Sequence, residues 1–172
     1  MRSPSARLAP IVTLIALLLA LPASAGAACP GSGQASAQLS LDHAQDAVRC
    51  LINRKRDRRD KKSLRQRDSL EAAAQFHAND MAVNGYFSHA APDGSSSFDR
   101  AVAFGYLGKG DGGVAEVIAG GDPGFTPTDA VDEWMTSGIH RSVLLARSWR
   151  HVGVGMAYLN GEVLYAVEFG HR

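Results

Sequence analysis

Val152-Gly153-Val154-Gly155-Met156-Ala157-Tyr158, then Asn160-Gly161, then Glu162-Val163-Leu164-Tyr165-Ala166-Val167-Glu168-Phe169 is the run from which the architecture can be built. Two β-rich runs flank an Asn-Gly pair, which reads as two strands joined by a tight hairpin turn. Working upstream, Val114 to Ala119 is short, apolar and β-branched, and reads as a further strand. The rest of the chain is helical in pattern. Ala44, Ala47, Val48, Leu51 and Ile52 repeat at helical spacing behind a cap at Ser40 or Asp42. Leu70, Ala73, Ala74, His77, Ala78 and Met81 form a second stripe that stops at Asn84-Gly85. Ser96 or Ser97 starts a short helix through Phe104, Thr128 caps one carrying Val131 and Trp134, and His140 to Leu145 adds a turn or two. The order α-α-α-β-α-α-β-β predicts an α+β fold, with helices packed on a small antiparallel sheet.

The N-terminal residues are a targeting signal rather than fold. Arg2 and Arg7 supply a positive start, Ile11 to Leu21 an apolar core, and Ala23-Ser24-Ala25 or Ala25-Gly26-Ala27 a small-residue cleavage site. Residues 1–27 are therefore expected to be a signal peptide, 28–40 a Gly/Ser/Ala-rich tail with little order, and 41–172 one domain. Removing two leader arginines from 18 Lys+Arg leaves 16 against 17 Asp+Glu. That near-neutral balance does not call for nucleic acid. No later apolar run is long enough for a transmembrane anchor, and a secreted, extracytoplasmic monomer is expected. Cys29 and Cys50 are the only cysteines, and an exported chain meets an oxidising compartment. A Cys29–Cys50 bridge would close a loop of about 20 residues and contribute about 3 kcal/mol. The alternative is a free Cys50 with a lipidated or frayed Cys29.

Three polar phrases stand out against this background. Phe87-Ser88-His89 leads into Ala90-Ala91-Pro92-Asp93-Gly94, a loop after the second helix. Glu116 is alone in an apolar run and needs a partner, for which Arg100 or Arg141 would serve. Ser137-Gly138-Ile139-His140-Arg141 sets a serine one helical turn before a histidine. Imidazoles and a carboxylate are groups that bind divalent metals or share protons. No His-Glu-x-x-His, Gly-x-Ser-x-Gly or Cys-x-x-Cys motif is present. His77 reads as core packing, and Glu133 as a surface residue that could reach the same cleft.

In their order, these phrases resemble the bacterial branch of the CAP superfamily (cysteine-rich secretory proteins, antigen 5 and pathogenesis-related proteins). The resemblance runs through Cys50-Leu51-Ile52-Asn53-Arg54, Ala73 to Ala82, the His89 phrase, Trp134 to Leu145 and Val152-Gly153-Val154-Gly155. It implies a three-layer α-β-α sandwich and a cleft formed by His89, Glu116, Ser137 and His140. Animal and plant members carry a second glutamate where this chain has Ser137, and a Gly-Glu-Asn phrase where it has Ala115-Glu116-Val117. His89, Glu116 and His140 could still hold Zn or another divalent cation with one open position. Three functions are consistent with this. The first is a non-catalytic binding module for a lipid-like, cell-envelope or protein ligand. The second is a metal-assisted extracellular hydrolase, a peptidase or esterase. The third is an envelope-attached structural protein using the basic segment 54–67.

Overall fold

The computed structural model describes residues 28–108 and 112–172, and it puts the 152–169 hairpin at the centre of a four-stranded sheet. Residues 1–27, expected as a signal peptide, and residues 109–111 lie outside the described residues. The strands are β1 (Arg65–Gln66), β2 (Gly113–Gly121), β3 (His151–Leu159) and β4 (Glu162–His171), in the order β1-β3-β4-β2. Asn160 and Gly161 turn the hairpin with φ of 54° and 86°, the left-handed pair that an Asn-Gly turn requires. β4 pairs antiparallel with both neighbours, but β1 runs parallel to β3. The sheet is thus mixed rather than antiparallel. Two residues are too short to show a period, so β1 was not visible in the pattern.

Alternation along the strands sorts side chains to two faces. Val117, Val152, Val154, Val163, Tyr165, Val167 and Phe169 share one apolar cluster with Val48, Ile52, Trp134 and Leu144. Those partners come from α1 (Leu41–Asp57), α4 (Pro127–Thr136) and α5 (Gly138–Leu145). Ile118, Ala157, Leu164 and Ala166 face the other way, toward Ala78 and Met81 of α2 (Asp68–Asn84). Beside α2 lies α3 (Ser97–Ala103). Both sheet faces are covered, giving the three-layer α-β-α sandwich. α2 lies directly on the β3 backbone. A Cβ on Gly153 would stand 2.2 Å from the Glu71 nitrogen, and one on Gly155 2.3 Å from the Ala74 carbonyl carbon. The phrase Val-Gly-Val-Gly is therefore a packing surface, bare on one face and branched on the other.

Helix starts follow local chemistry. Ser40 caps α1, Ser96 and Asp99 form a capping box on α3, and Thr126 and Asp129 form another on α4 with Pro127 in its first turn. Thr128, expected as that cap, instead donates its hydroxyl to Ser32 O at 2.7 Å. This bond is part of a further difference: residues 28–40, expected as a tail with little order, pack onto the domain. Ser36 is fully buried, its N–H donates to Phe125 O at 2.9 Å, and its Oγ accepts from Tyr165 at 2.7 Å. Cys29 and Cys50 are bridged, with Cα atoms 5.7 Å apart. The basic segment is also less uniform than its sequence: Arg56 is buried and donates to the carbonyls of Lys62, Leu144 and Ala146. No described helix is long and apolar enough to cross a membrane.

Candidate functional site

Glu116 sits on the α2/α3 face of β2, opposite Glu168 of β4 in the antiparallel register. The β3 partner of Glu168 is Gly153, which carries no side chain to fill the space. Two carboxylates therefore stand side by side beneath α2 and α3, both buried. Arg100 of α3 is the cation between them. Its Nη2 donates to Glu116 Oε2 at 2.6 Å, and its Nε lies 3.5 Å from Glu168 Oε1. The Arg100 guanidinium also reaches the loop after α2, donating to His89 O at 3.2 Å and Ser95 O at 3.4 Å. One side chain thus ties two strands and a loop together.

His89 completes the arrangement. Its Nδ1–H donates to Glu116 Oε1 at 2.8 Å, while 55% of its side chain remains exposed. The bond to Glu116 is the main reason its pKa is raised, with burial opposing it. His77 of α2 lies beneath, fully buried. Its Nε2–H donates to Ser88 O at 2.9 Å and stands 3.7 Å from Glu116 Oε1. Burial pulls the His77 pKa down, so the ring is neutral and braces the loop. Tyr86 donates to Asp80 beside it, and burial pushes the Tyr86 hydroxyl up. Glu168 differs from Glu116: neither of its oxygens has a hydrogen-bond partner among the described residues. Burial first, and the Glu116 charge second, push it up to about 8. A carboxyl with that value is protonated at neutral pH, so the pair carries one net charge against one guanidinium.

Of the four expected cleft residues, His89 and Glu116 are brought together. Ser137 caps α5, its Oγ accepting from His140 N at 3.4 Å. His140 lies in the first turn of α5 with its Nδ1 buried and unpartnered among the described residues. No described hydrogen bond or ion pair joins it to His89 or Glu116. Arg141, expected to partner a carboxylate, is exposed and donates to Met135 O at 3.2 Å. Glu133 is also exposed. As arranged, the donors do not fit a divalent cation. Glu116 has one oxygen on a guanidinium and the other on His89, and no three His, Cys, Asp or Glu side chains cluster for a metal among the described residues. Glu168 and His77 are the members that sequence reasoning missed. The one signal for Glu168 was an acid inside the apolar run Tyr165 to Phe169, the same signal that picked out Glu116.

Glu116 is therefore not free to act as a base, and the one unpaired basic atom that the described hydrogen bonds leave at the surface here is on His89. The outward group of the site is this second nitrogen of His89, beside Phe87 with its ring half-exposed. Such a surface can bind and orient a ligand, and its carboxylate is committed to the fold.

Comparison with known proteins matches this geometry to a family. The profile of the CAP, or cysteine-rich secretory protein, family matches residues 50–168. The chain is 32% identical over 134 residues to the uncharacterized protein YkwD of Bacillus subtilis, covering 78% of this chain and 49% of that protein. It thus spans about half the length of this curated relative. An extracellular protein with an SCP domain from Bacillus anthracis superposes with a TM-score of 0.67 at 26% identity, over 77% of this chain and 41% of that one. An outer surface protein of Borrelia burgdorferi shares the fold at a TM-score of 0.63 and 21% identity, over 73% and 90% of the two chains. Profile match and three-layer architecture agree: the chain belongs to the CAP, or cysteine-rich secretory protein, family.

Proposed function

We propose that this chain is an extracytoplasmic binding module without catalytic activity, and that it takes an apolar, envelope-derived ligand on the surface around His89 and Phe87. The observation that carries this reading is the commitment of both Glu116 oxygens. A hydrolase using Glu116 as base or metal ligand would first have to strip it from Arg100 and His89, the former held at 2.6 Å inside the protein. Removing a partner from a buried ion pair costs about 3–5 kcal/mol, a cost no turnover step recovers without a replacement cation. Phe87 also borders a groove of about 480 Å3 with Gly120, Gly121, Asp122 and Leu164, of the size small ligands occupy. An extracytoplasmic location is supported by the Cys29–Cys50 bridge and by the likeness to the extracellular SCP-domain protein of Bacillus anthracis.

The test is a mass-spectrometric census of small molecules that co-purify from the native compartment with the wild type and with the His89→Ala/His140→Ala double variant. We expect an apolar species in near-stoichiometric amount with the wild type and its loss from the variant. An unchanged set of bound species in the variant would remove this surface from the function. Chemically cleaved products on the wild type alone would restore the hydrolase.

A further inference from the structure

The parallel pairing of β1 on β3 gathers charges that the sequence keeps apart. Its register sets Arg65 beside His151, and strand alternation puts Arg67 on the same face. Arg65 Nη2 stands 3.4 Å from His151 Nε2, and the other ring nitrogen lies 2.9 Å from the Tyr106 hydroxyl. The guanidinium of Arg172 lies over the same Tyr106 ring, 5.2 Å from its centroid, and donates to Tyr106 O at 2.9 Å. Arg67 and Arg172 border one cavity of about 300 Å3, together with Gln66, Ser69, Gly105 and Asp68. All three arginines are exposed, and none forms an ion pair among the described residues. Of the nearby acids, Asp68 shares the cavity and Glu71 accepts from Gln66. Burial, then the fields of Arg65, Arg67 and Arg172, hold the His151 imidazole below its ordinary value. Two guanidiniums, those of Arg67 and Arg172, thus line the cavity with one carboxylate, and the third, Arg65, stands against the neighbouring His151, in a chain whose overall charge is only +1.

We propose that this sheet edge binds a polyanion of repeating phosphate groups, with one phosphate seated in the cavity between Arg67 and Arg172. Guanidinium forks match phosphate oxygens two at a time, and a concave cationic site focuses its field on such a group. The site is separate from the His89 surface and stands whether or not that surface binds a ligand. A polymer fits better than a bilayer. The adjacent exposed ring, Phe104, is paired with Phe76 at 5.6 Å, and the other large exposed apolar groups, such as Val83 and Ile139, belong to other elements. The basic run at the end of α1 is not the site, since its Arg56 is buried and its Lys55 pairs with Asp132 at 2.7 Å.

The test is fluorescence anisotropy with a labelled inorganic polyphosphate chain as probe, across a salt series. The wild type is compared with Arg65→Gln/Arg67→Gln/Arg172→Gln and with an Arg58→Gln/Arg59→Gln control. Each arginine–phosphate pairing removed should flatten the slope of log affinity against log salt by about 0.7–0.9. We therefore expect the triple variant to bind at least about tenfold more weakly, with a slope shallower by about two, and the control to stay within about twofold of wild type. Added phosphate should also raise the His151 pKa in NMR titration. Equal weakening in the control would overturn the proposal, as would equal affinity in the triple variant. Binding to anionic lipid vesicles but not to polyphosphate would replace the polymer with a membrane. A triple variant that merely aggregates, its affinity intact, would assign the arginines to guarding the sheet edge. If the triple variant fails to fold, Arg67→Gln alone should give about a third of the slope change, and an unchanged slope there counts against the site.

Discussion

Replacing Glu168 with glutamine should stabilise the protein at neutral and alkaline pH, and the gain should grow with pH. In the folded state this carboxyl is pushed up to about 8 from an ordinary 4.5, because it is buried and faces Glu116. The unfolded chain therefore loses a proton between pH 4.5 and 8 that the folded protein keeps. Where the folded state binds more protons, stability falls as pH rises. At about 1.36 kcal/mol per pH unit, the accumulated cost is about 3 kcal/mol at pH 7 and about 5 kcal/mol above pH 8, as an upper bound. Glutamine keeps the shape, carries no charge at any pH, and can offer its amide to Glu116. Urea unfolding of both proteins at about pH 5, 7 and 8.5 reads the difference directly. The two should be nearly equal at about pH 5, and the variant ahead by about 2–4 kcal/mol near pH 7 and by more at about pH 8.5. Parallel stability curves would rule this out, because they would mean that Glu168 ionises normally in the fold.

Arg100→Met should cost about 3–5 kcal/mol by urea unfolding, since it leaves Glu116 buried without its cation, and adding Glu116→Gln and Glu168→Gln should recover most of that loss. His89 should titrate above the ordinary histidine value in NMR, its contribution to stability present at low pH and lost as pH rises through that raised value; Glu116→Gln should bring the titration back down. Cys50→Ser should lower stability by about 3 kcal/mol, because the bridge closes a loop with a sequence separation of 21, and an unchanged urea midpoint would contradict this. Gly153→Ala should destabilise by about 1–3 kcal/mol or more, since its Cβ meets the α2 backbone at 2.2 Å; a neutral result would mean that α2 is free to move off β3.

Much of the framework was legible because it is written in local chemistry. Asn160-Gly161 between alternating runs can hardly be other than a hairpin, and Ser40 and Ser96 announce their helices. Thr128 misled because a threonine two residues earlier, with Asp129 three places on, forms the better box. β1 has two residues and is defined by its partner alone. The candidate site was legible where burial demanded compensation: Glu116 needed a cation, and Arg100 was among those weighed. Glu168 was missed because its pairing depends on how β2 and β4 register, which no local pattern states. His77 read correctly as buried, yet its bond to Ser88 O, which braces the loop carrying His89, depends on how that loop folds back. His140 was grouped with His89 by resemblance, and no described hydrogen bond or ion pair joins the two.

The site binds rather than cuts if Glu116 is committed to Arg100 and His89. Nitrogen-detected NMR of the histidine rings, with zinc added to one equivalent, is the decisive experiment. His89 should keep its proton on Nδ1, hydrogen-bonded to Glu116, with neither His89 nor His140 responding stoichiometrically. Joint, saturating shifts of His89 and His140 at one equivalent of zinc, with loss of the proton from His89 Nδ1, would show instead that the bond to Glu116 gives way to a metal and that the commitment does not hold.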